Sequence, residues 1–415
     1  MTASDTHRAV EAVWRIEAAR LIAGLSGIVR DVGLAEELAQ DALVAALEQW
    51  PREGVPRNPG AWLMTVAKRR AVDLIRRNRT YERKLAELGR DLEDRLEDDE
   101  PPEAGEIEDD LLRLVFTACH PVLPAEARVA LTLRVLGGLS TGEIARAFLM
   151  SEPAVAQRIV RAKRTLAARK VPFEVPSGME LAERLPPVLE VIYLIFNEGY
   201  SATAGDDWMR PALCEDALRL GRVLAGLMPK EPEVFGLVAL MEIQASRAAA
   251  RVGPSGEPIL LLEQNRARWD RLLIRRGLAA LERAGELSGD LGPYTLQAEI
   301  AACHARAFTA GETDWVRIAD LYARLAALSG SPVVELNRAV ALAMAYGPGV
   351  GLELVDQIAG EPALKGYHLL PGVRGDLLFR LGRLGEAAAE FERAASLTRN
   401  ERERVLMERR AASCR

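Results

Sequence analysis

No HExxH pair, P-loop or C-x-x-C spacing occurs in this sequence, which removes the common signatures of metalloproteases, nucleotidases and dithiol redox centres. Gly347, Gly349 and Gly351 stand too close together for a dinucleotide loop. Histidine is limited to four residues. Cysteine is too, and Cys119, Cys214, Cys303 and Cys414 lie far apart, as reduced and mostly buried thiols of a cytosolic protein would. Two of them form the adjacent pairs Cys119-His120 and Cys303-His304; neighbours on a helix diverge, so zinc is not expected, nor is any other metal or cofactor. The longest apolar runs, such as Val188 to Phe196, stop far short of the roughly 20 residues a membrane span requires. The first residues, MTASDTHRAVEAVWRIEAAR, are charged throughout and lack a secretory leader, so a soluble cytoplasmic protein with no membrane partner is expected. Aromatics make up only 5% of the chain and β-branched runs are scarce, while Leu, Ala, Arg and Glu dominate. That composition predicts an all-α fold, and 415 residues suffice for two to four domains.

What is present is organised around Ser140 to Lys170, STGEIARAFLMSEPAVAQRIVRAKRTLAARK. Ser140 and Glu143 stand at capping-box spacing and open a short helix to about Phe148. A second helix opens at Ser151, with Pro153 in its first turn. Ile144, Ala145, Phe148, Val155, Ile159, Ala162 and Leu166 recur at helical spacing and predict one apolar seam between the two. Gln157, Arg158, Arg161, Lys163 and Arg164 are expected opposite it, with no acid after Glu152. A one-signed polar face of this kind attracts a phosphate backbone, so the pair reads as a helix-turn-helix with its second helix as reader. Gly138 to Gly142 also matches the G-x-S-x-G nucleophile elbow, but that motif needs a preceding strand, and a helix-like run stands there. No enzymatic activity is expected.

The net charge of −6 conceals a segregated distribution. Amphipathic helices are predicted from about Thr6 to Gly27 and from Leu34 to Trp50; on the second, Glu36, Glu37 and Asp41 are expected away from Leu38, Ala42, Ala45 and Ala46. PREGVPRNPG then breaks the chain before a third helix, AWLMTVAKRRAVDLIRRNRTYERK, crowded with Lys68, Arg69, Arg70, Arg76, Arg77, Arg79, Arg83 and Lys84 against only Asp73 and Glu82. From Asp91 to Asp110 the only cation is Arg95, so this run is expected to be a flexible acidic linker. Helices at about Leu111–Cys119 and Pro124–Leu136 lead into the helix-turn-helix.

In this order, AEELAQDALVAALEQW, a Pro/Gly loop, NPGAWLMTVAKRRAVDLIRR, an acidic linker and SEPAVAQRIVRAKRTL, the chain resembles the extracytoplasmic-function (ECF) sigma factors of the sigma-70 family. The resemblance covers residues 6 to 170. It implies a region 2-like module (1–90) that binds core RNA polymerase and the −10 element, a linker (91–110) and a region 4-like module (111–170) for the −35 element. Carried over, Glu36, Glu37 and Asp41 would bind the polymerase. The −10 pocket would lie broadly at Gly54 to Asn58, with Asn58, Trp62, Lys68, Arg69, Arg76 and Arg77 toward −10 DNA. Trp62, Leu63, Asp73 and Arg76 stand at the family's positions, but Arg69 replaces its usual Asn, exchanging a base-pairing amide for charge. Glu152, Ala154 and Gln157 would reach −35 base edges, and Arg158, Arg161, Lys163 and Arg164 the phosphates. The implied partners are bacterial core RNA polymerase and promoter DNA.

After the short linker VPFEVPSG, residues 171–415 carry further amphipathic helices at about Met179–Tyr200, Pro211–Met228, Pro232–Ala250, Trp269–Leu287, Pro293–Ala310, Trp315–Leu328, Pro332–Ala345 and from Gly372 to the end. RVGPSGEPILLLEQ reads as a small hairpin or loop between them. LLFRLGRLGEAAAEFERAASL, with Leu381-Gly382, Ala387, Phe391 and Ala394, follows the tetratricopeptide (TPR) pattern without its closing proline, and predicts a helical solenoid. Two polar-aromatic stretches, around Asn197, Glu198 and Tyr200 and around Glu263, Asn265, Arg268, Trp269 and Asp270, either hydrogen-bond internally or form a docking face for the first modules or a ligand. With this extension the chain resembles the ECF subgroup carrying a TPR-like C-terminal domain, whose implied role is regulatory, through possible intramolecular contact with the sigma modules. The alternative reading is a stand-alone DNA-binding regulator or scaffold with a protein-binding solenoid.

Overall fold

The computed structural model describes residues 3–82, 104–148, 150–200, 209–253, 259–398 and 400–415, and among these no β-strand is present. They fall into two compact units, residues 1–192 and 193–415.

In the first unit, α1 (Ala3–Val29), α2 (Val32–Glu53) and α3 (Pro59–Glu82) pack on one another. Alanines make the close approach possible: Ala35, Ala39, Ala42 and Ala46 of α2 and Ala67 and Ala71 of α3 are buried with Leu21, Leu25 and Leu63. Asp31 caps α2 by accepting the Leu34 N–H at 2.9 Å. This helix runs through Pro51, beyond the break expected there, and ends at Gly54, where φ is 87° and the N–H reaches the Trp50 carbonyl at 2.9 Å. The connection to α3 is therefore shorter than the sequence suggests.

The next helix, α4 (Ala104–Ala118), packs on α1. It starts inside the acidic run expected to be flexible, because residues from Leu112 to Ala118 bury an apolar face and Asp110 gains Arg113 at 2.7 Å. The rest of that run, and Arg83 and Lys84 before it, lie outside the described residues. Helices α5 (Ala125–Val135), α6 (Thr141–Ala147) and α7 (Glu152–Ala168) complete the predicted helix-turn-helix and its support. Cys119 is buried beneath α5 against the Thr132 hydroxyl at 3.4 Å, and burial pushes its thiol up to about 11.

Helix α8 (Gly178–Tyr200) contains the boundary between the units. Its first half belongs with the helix-turn-helix: Arg184 donates to the Phe116 carbonyl at 3.0 Å, and Glu190 pairs with Arg128 at 3.1 Å. The first unit thus reaches residue 192, not the boundary near 170 expected from the prolines.

The second unit continues with α9 (Pro211–Leu227), α10 (Pro232–Ala245), α11 (Arg271–Leu287), α12 (Pro293–Arg306), α13 (Trp315–Ser329), α14 (Pro332–Tyr346), α15 (Pro348–Ile358), α16 (Leu369–Arg380), α17 (Leu384–Leu397) and α18 (Glu401–Ala412). Most of these pack on their sequence neighbours, as in a stack of helical repeats. The stretch expected to be helical from Gly372 onward is three helices, because Gly382 turns at φ 76° and Asn400 caps α18. Phe391 fits against Gly375, where an added Cβ would stand 2.9 Å from the ring. Helix α15 was not anticipated; it opens at Pro348, just after Gly347 at φ 106°. The loop after α10 carries short 3-10 turns at Ala248–Ala250, Leu261–Glu263 and Arg266–Arg268, and the Ile259 N–H donates to the Arg251 carbonyl at 2.8 Å; residues 254–258 lie outside the described residues. No helix among the described residues is long and apolar enough to cross a membrane.

Candidate nucleic-acid and polymerase interfaces

The capping box closes as its spacing predicts. Glu143 N–H donates to Ser140 Oγ at 3.2 Å, and Ser140 N–H donates back to Glu143 Oε2 at 2.8 Å. Val155, Ile159, Ala162 and Leu166 bury one face of α7 beside Ile144 and Ala145. On the other face Ala154, Gln157, Arg161 and Arg164 are exposed, the arrangement a groove-reading helix needs. Glu152 is exposed and accepts the Thr141 hydroxyl at 3.0 Å, joining α6 to the first turn of α7. Arg158 is half-buried, its guanidinium 3.5 Å from the Met150 sulfur.

Lys163 does not stand with the others. It is turned toward α2, where its ammonium contacts Glu36 Oε2, while Arg134 of α5 donates to Glu36 Oε1 at 2.6 Å. Gln40 donates to the same oxygen at 2.6 Å. Glu36 is only 3% exposed, so its charge is neutralised by two cations from the helix-turn-helix module. The signal was available in the spacing. Four residues after Ile159, Lys163 lies only about 40° around the helix from it. Glu36 lies about the same angle from Val32, at one edge of the buried arc of α2; Asp41 lies about as far from Ala45 at the opposite edge, and Glu37 falls on the far side. Arg134, the other cation, was not singled out from the sequence.

Glu37 and Asp41 are exposed, and Asp41 pairs at the surface with Arg70 of α3 at 3.5 Å. Trp62 packs edge-on against the buried Trp50, with ring centroids 5.4 Å apart, which fixes it beside the 54–58 loop. Asn58 ends that loop as the cap of α3, accepting the Ala61 N–H at 3.1 Å. Lys68 is half-buried; Arg69 and Arg76 are exposed on the same helix. Arg77 lies on α3, and its side chain is outside the described set.

The structure therefore brings Ala154, Gln157, Arg161 and Arg164 onto one exposed face, with Arg158 half-buried at its margin, Glu152 exposed at the helix start and Lys163 turned away, and it leaves Glu37 and Asp41 accessible but not Glu36. Among the described residues no cluster of His, Cys, Asp and Glu is arranged to hold a metal ion.

Residues 15–81 match the family described as sigma-70 region 2, residues 113–166 match sigma-70 region 4, and residues 184–285 match a family of unknown function (DUF6596). An uncharacterized protein of Rhizobium meliloti (strain 1021) is 46% identical over 373 residues, covering 89% of this chain and 88% of that protein. No solved structure matches the chain.

Proposed function

The chain belongs to the sigma-70 family, as a sigma factor of transcription initiation with a helical C-terminal extension, and from that premise we propose how its parts divide the work. Glu37 and Asp41 on α2 dock core RNA polymerase. Trp62, the 54–58 loop and the basic face of α3 take hold of the −10 element, where the aromatic ring and the cations favour a separated strand. Helix α7 reads the −35 element through Ala154, Gln157 and Glu152, and Arg158, Arg161 and Arg164 hold phosphates. No covalent chemistry is required, and the site of action is the cytoplasm, where the polymerase works.

The observation that carries this reading is the separation of two exposed surfaces, an acidic one on α2 and a basic one on α7, within the two matched modules. The Glu36 contact adds a closed state. Lys163 reaches a phosphate only after leaving Glu36, so engagement of promoter DNA opens the contact between α2 and α7. The C-terminal unit regulates this cycle; its TPR-like stacking provides a surface for such control.

Co-elution of the full chain with bacterial core polymerase tests the docking claim. A stable complex is expected, and failure to co-elute at micromolar concentrations would favour a stand-alone DNA-binding regulator. For the extension, the full chain is compared with a chain ending at Tyr200, which keeps Arg184 and Glu190 in place. Unequal promoter initiation supports regulation and its direction gives the sign; equal initiation refutes it.

A further inference from the structure

The second unit gathers buried polar groups at one place that neither polymerase nor promoter binding uses. Arg247, on the turn after α10, and Arg266, in the 3-10 turn before α11, both lie against Trp269, their guanidinium carbons 5.6 and 5.1 Å from its ring centre. Arg266 and Trp269 are buried. Arg266 donates to the His304 and Ala307 carbonyls at 2.9 and 3.0 Å and to the Thr313 hydroxyl at 2.8 Å. Arg247 donates to Gln244 Oε1 at 3.0 Å, an oxygen that also accepts the Tyr200 hydroxyl at 3.0 Å. All of these acceptors are neutral. Among the described residues no carboxylate stands at ion-pair distance from either guanidinium; the Glu312 charge acts on Arg266 only from farther off.

Donors remain over. Arg247 Nε, Arg266 Nε and Trp269 Nε1 are buried N–H donors without a hydrogen-bond partner among the described residues, and His304 Nδ1 beside them is unpartnered too. Burial, then the Arg247 and Arg266 cations, pushes His304 down to about 3, so the imidazole adds no third charge. Two guanidinium groups against one indole, neither with a carboxylate at ion-pair distance among the described residues, and buried N–H groups that no protein acceptor takes up make chemistry suited to an oxyanion. The planar guanidinium fork matches carboxylate and phosphate oxygens in particular.

We propose that Arg247, Arg266 and Trp269, with His304 beside them, form a binding site for a small dianion, a phosphate monoester or a dicarboxylate. Two fixed cations match two negative charges, and the spare donors supply the hydrogen bonds. The C-terminal unit is thereby a receptor for a small acidic molecule, a role that stands whether or not the division of promoter contacts above is correct.

The test is a titration of the full chain, followed by tryptophan fluorescence and calorimetry at constant ionic strength set with chloride. The probes are inorganic phosphate and succinate. Saturable binding of at least one is expected, with a Kd of about 1 mM or tighter. Phosphate alone saturating assigns the phosphate class, succinate alone the dicarboxylate class, and both together a general dianion site. Arg247→Gln, at a half-buried position, should weaken binding about tenfold or more without lowering the melting temperature of the unliganded chain. Trp269→Phe keeps an aromatic face but removes the indole N–H and, followed by calorimetry, should weaken binding about threefold or more. The proposal is overturned if neither probe saturates by about 20 mM, or if both variants bind as the wild type does.

Discussion

Neutralising Glu36 should strengthen binding of the chain to −35 duplex DNA, although the residue lies on the other module. Glu36→Gln preserves shape and most hydrogen-bonding capacity while removing the charge that holds Lys163 and Arg134. The two cationic side chains are 19% and 20% exposed and Glu36 only 3%, so the contact falls between a surface pair, worth about 0–1 kcal/mol, and a fully buried one, whose rupture costs about 3–5 kcal/mol. An intermediate strength of about 1–3 kcal/mol corresponds to an affinity gain of about 5–150-fold when DNA no longer has to break it. Fluorescence anisotropy with labelled duplex, full chain and no polymerase isolates this effect from core binding. Glu37→Gln makes the same change of charge at an exposed position and serves as the control. With Lys163 on a phosphate in both complexes, the slope of log K against log salt should stay the same while the affinity rises. Equal affinities for the two variants would refute the reasoning.

Asp41→Arg should abolish co-elution with core polymerase while the circular dichroism and melting temperature stay near wild type, since the Arg70 pair it breaks is a surface pair worth at most about 1 kcal/mol; retained co-elution would remove Asp41 from the docking face. Gln157→Ala should relax selection at one −35 position, costing about 1–3 kcal/mol of discrimination there, as measured against a panel of single-base promoter variants. A uniform loss on every promoter would make Gln157 a phosphate or structural residue. The folded pKa of His304 lies near 3, below its ordinary 6.5, so the unfolded chain takes up a proton that the folded chain refuses. Stability from this source is complete above about pH 6.5 and is lost as pH falls toward 3; His304→Gln should flatten that part of the stability-pH profile by up to one proton.

Local signals in the sequence carried furthest where one element's chemistry decides its structure. The Ser140-Glu143 box, the seam from Ile144 to Leu166 and the exposed Gln157, Arg161 and Arg164 all depend on spacing within a few residues. Partners distant in sequence were not legible. Nothing near Glu36 announces Arg134 and Lys163, 98 and 127 positions away, although helical angles put both Glu36 and Lys163 at the margin of a buried face. The same limit explains α4, whose acidic start is held by packing on α1, and α8, whose Arg184 binds back to Phe116 across the proline linker. Of the polar-aromatic stretches in the second unit, much proved to be internal bonding. Asn265 caps a 3-10 turn, Asp270 caps α11, and Glu198 pairs with Arg210. Trp269 was noticed as an aromatic at a turn, but the two guanidinium groups around it come together only in the fold.

Run-off transcription by bacterial core polymerase, with and without the purified full chain, on a library of candidate promoters tests the central claim most directly. The account predicts chain-dependent initiation from a subset sharing −10 and −35 elements, lost with Asp41→Arg. Duplex DNA binding by the chain with no initiation on any promoter and no complex with core would contradict it.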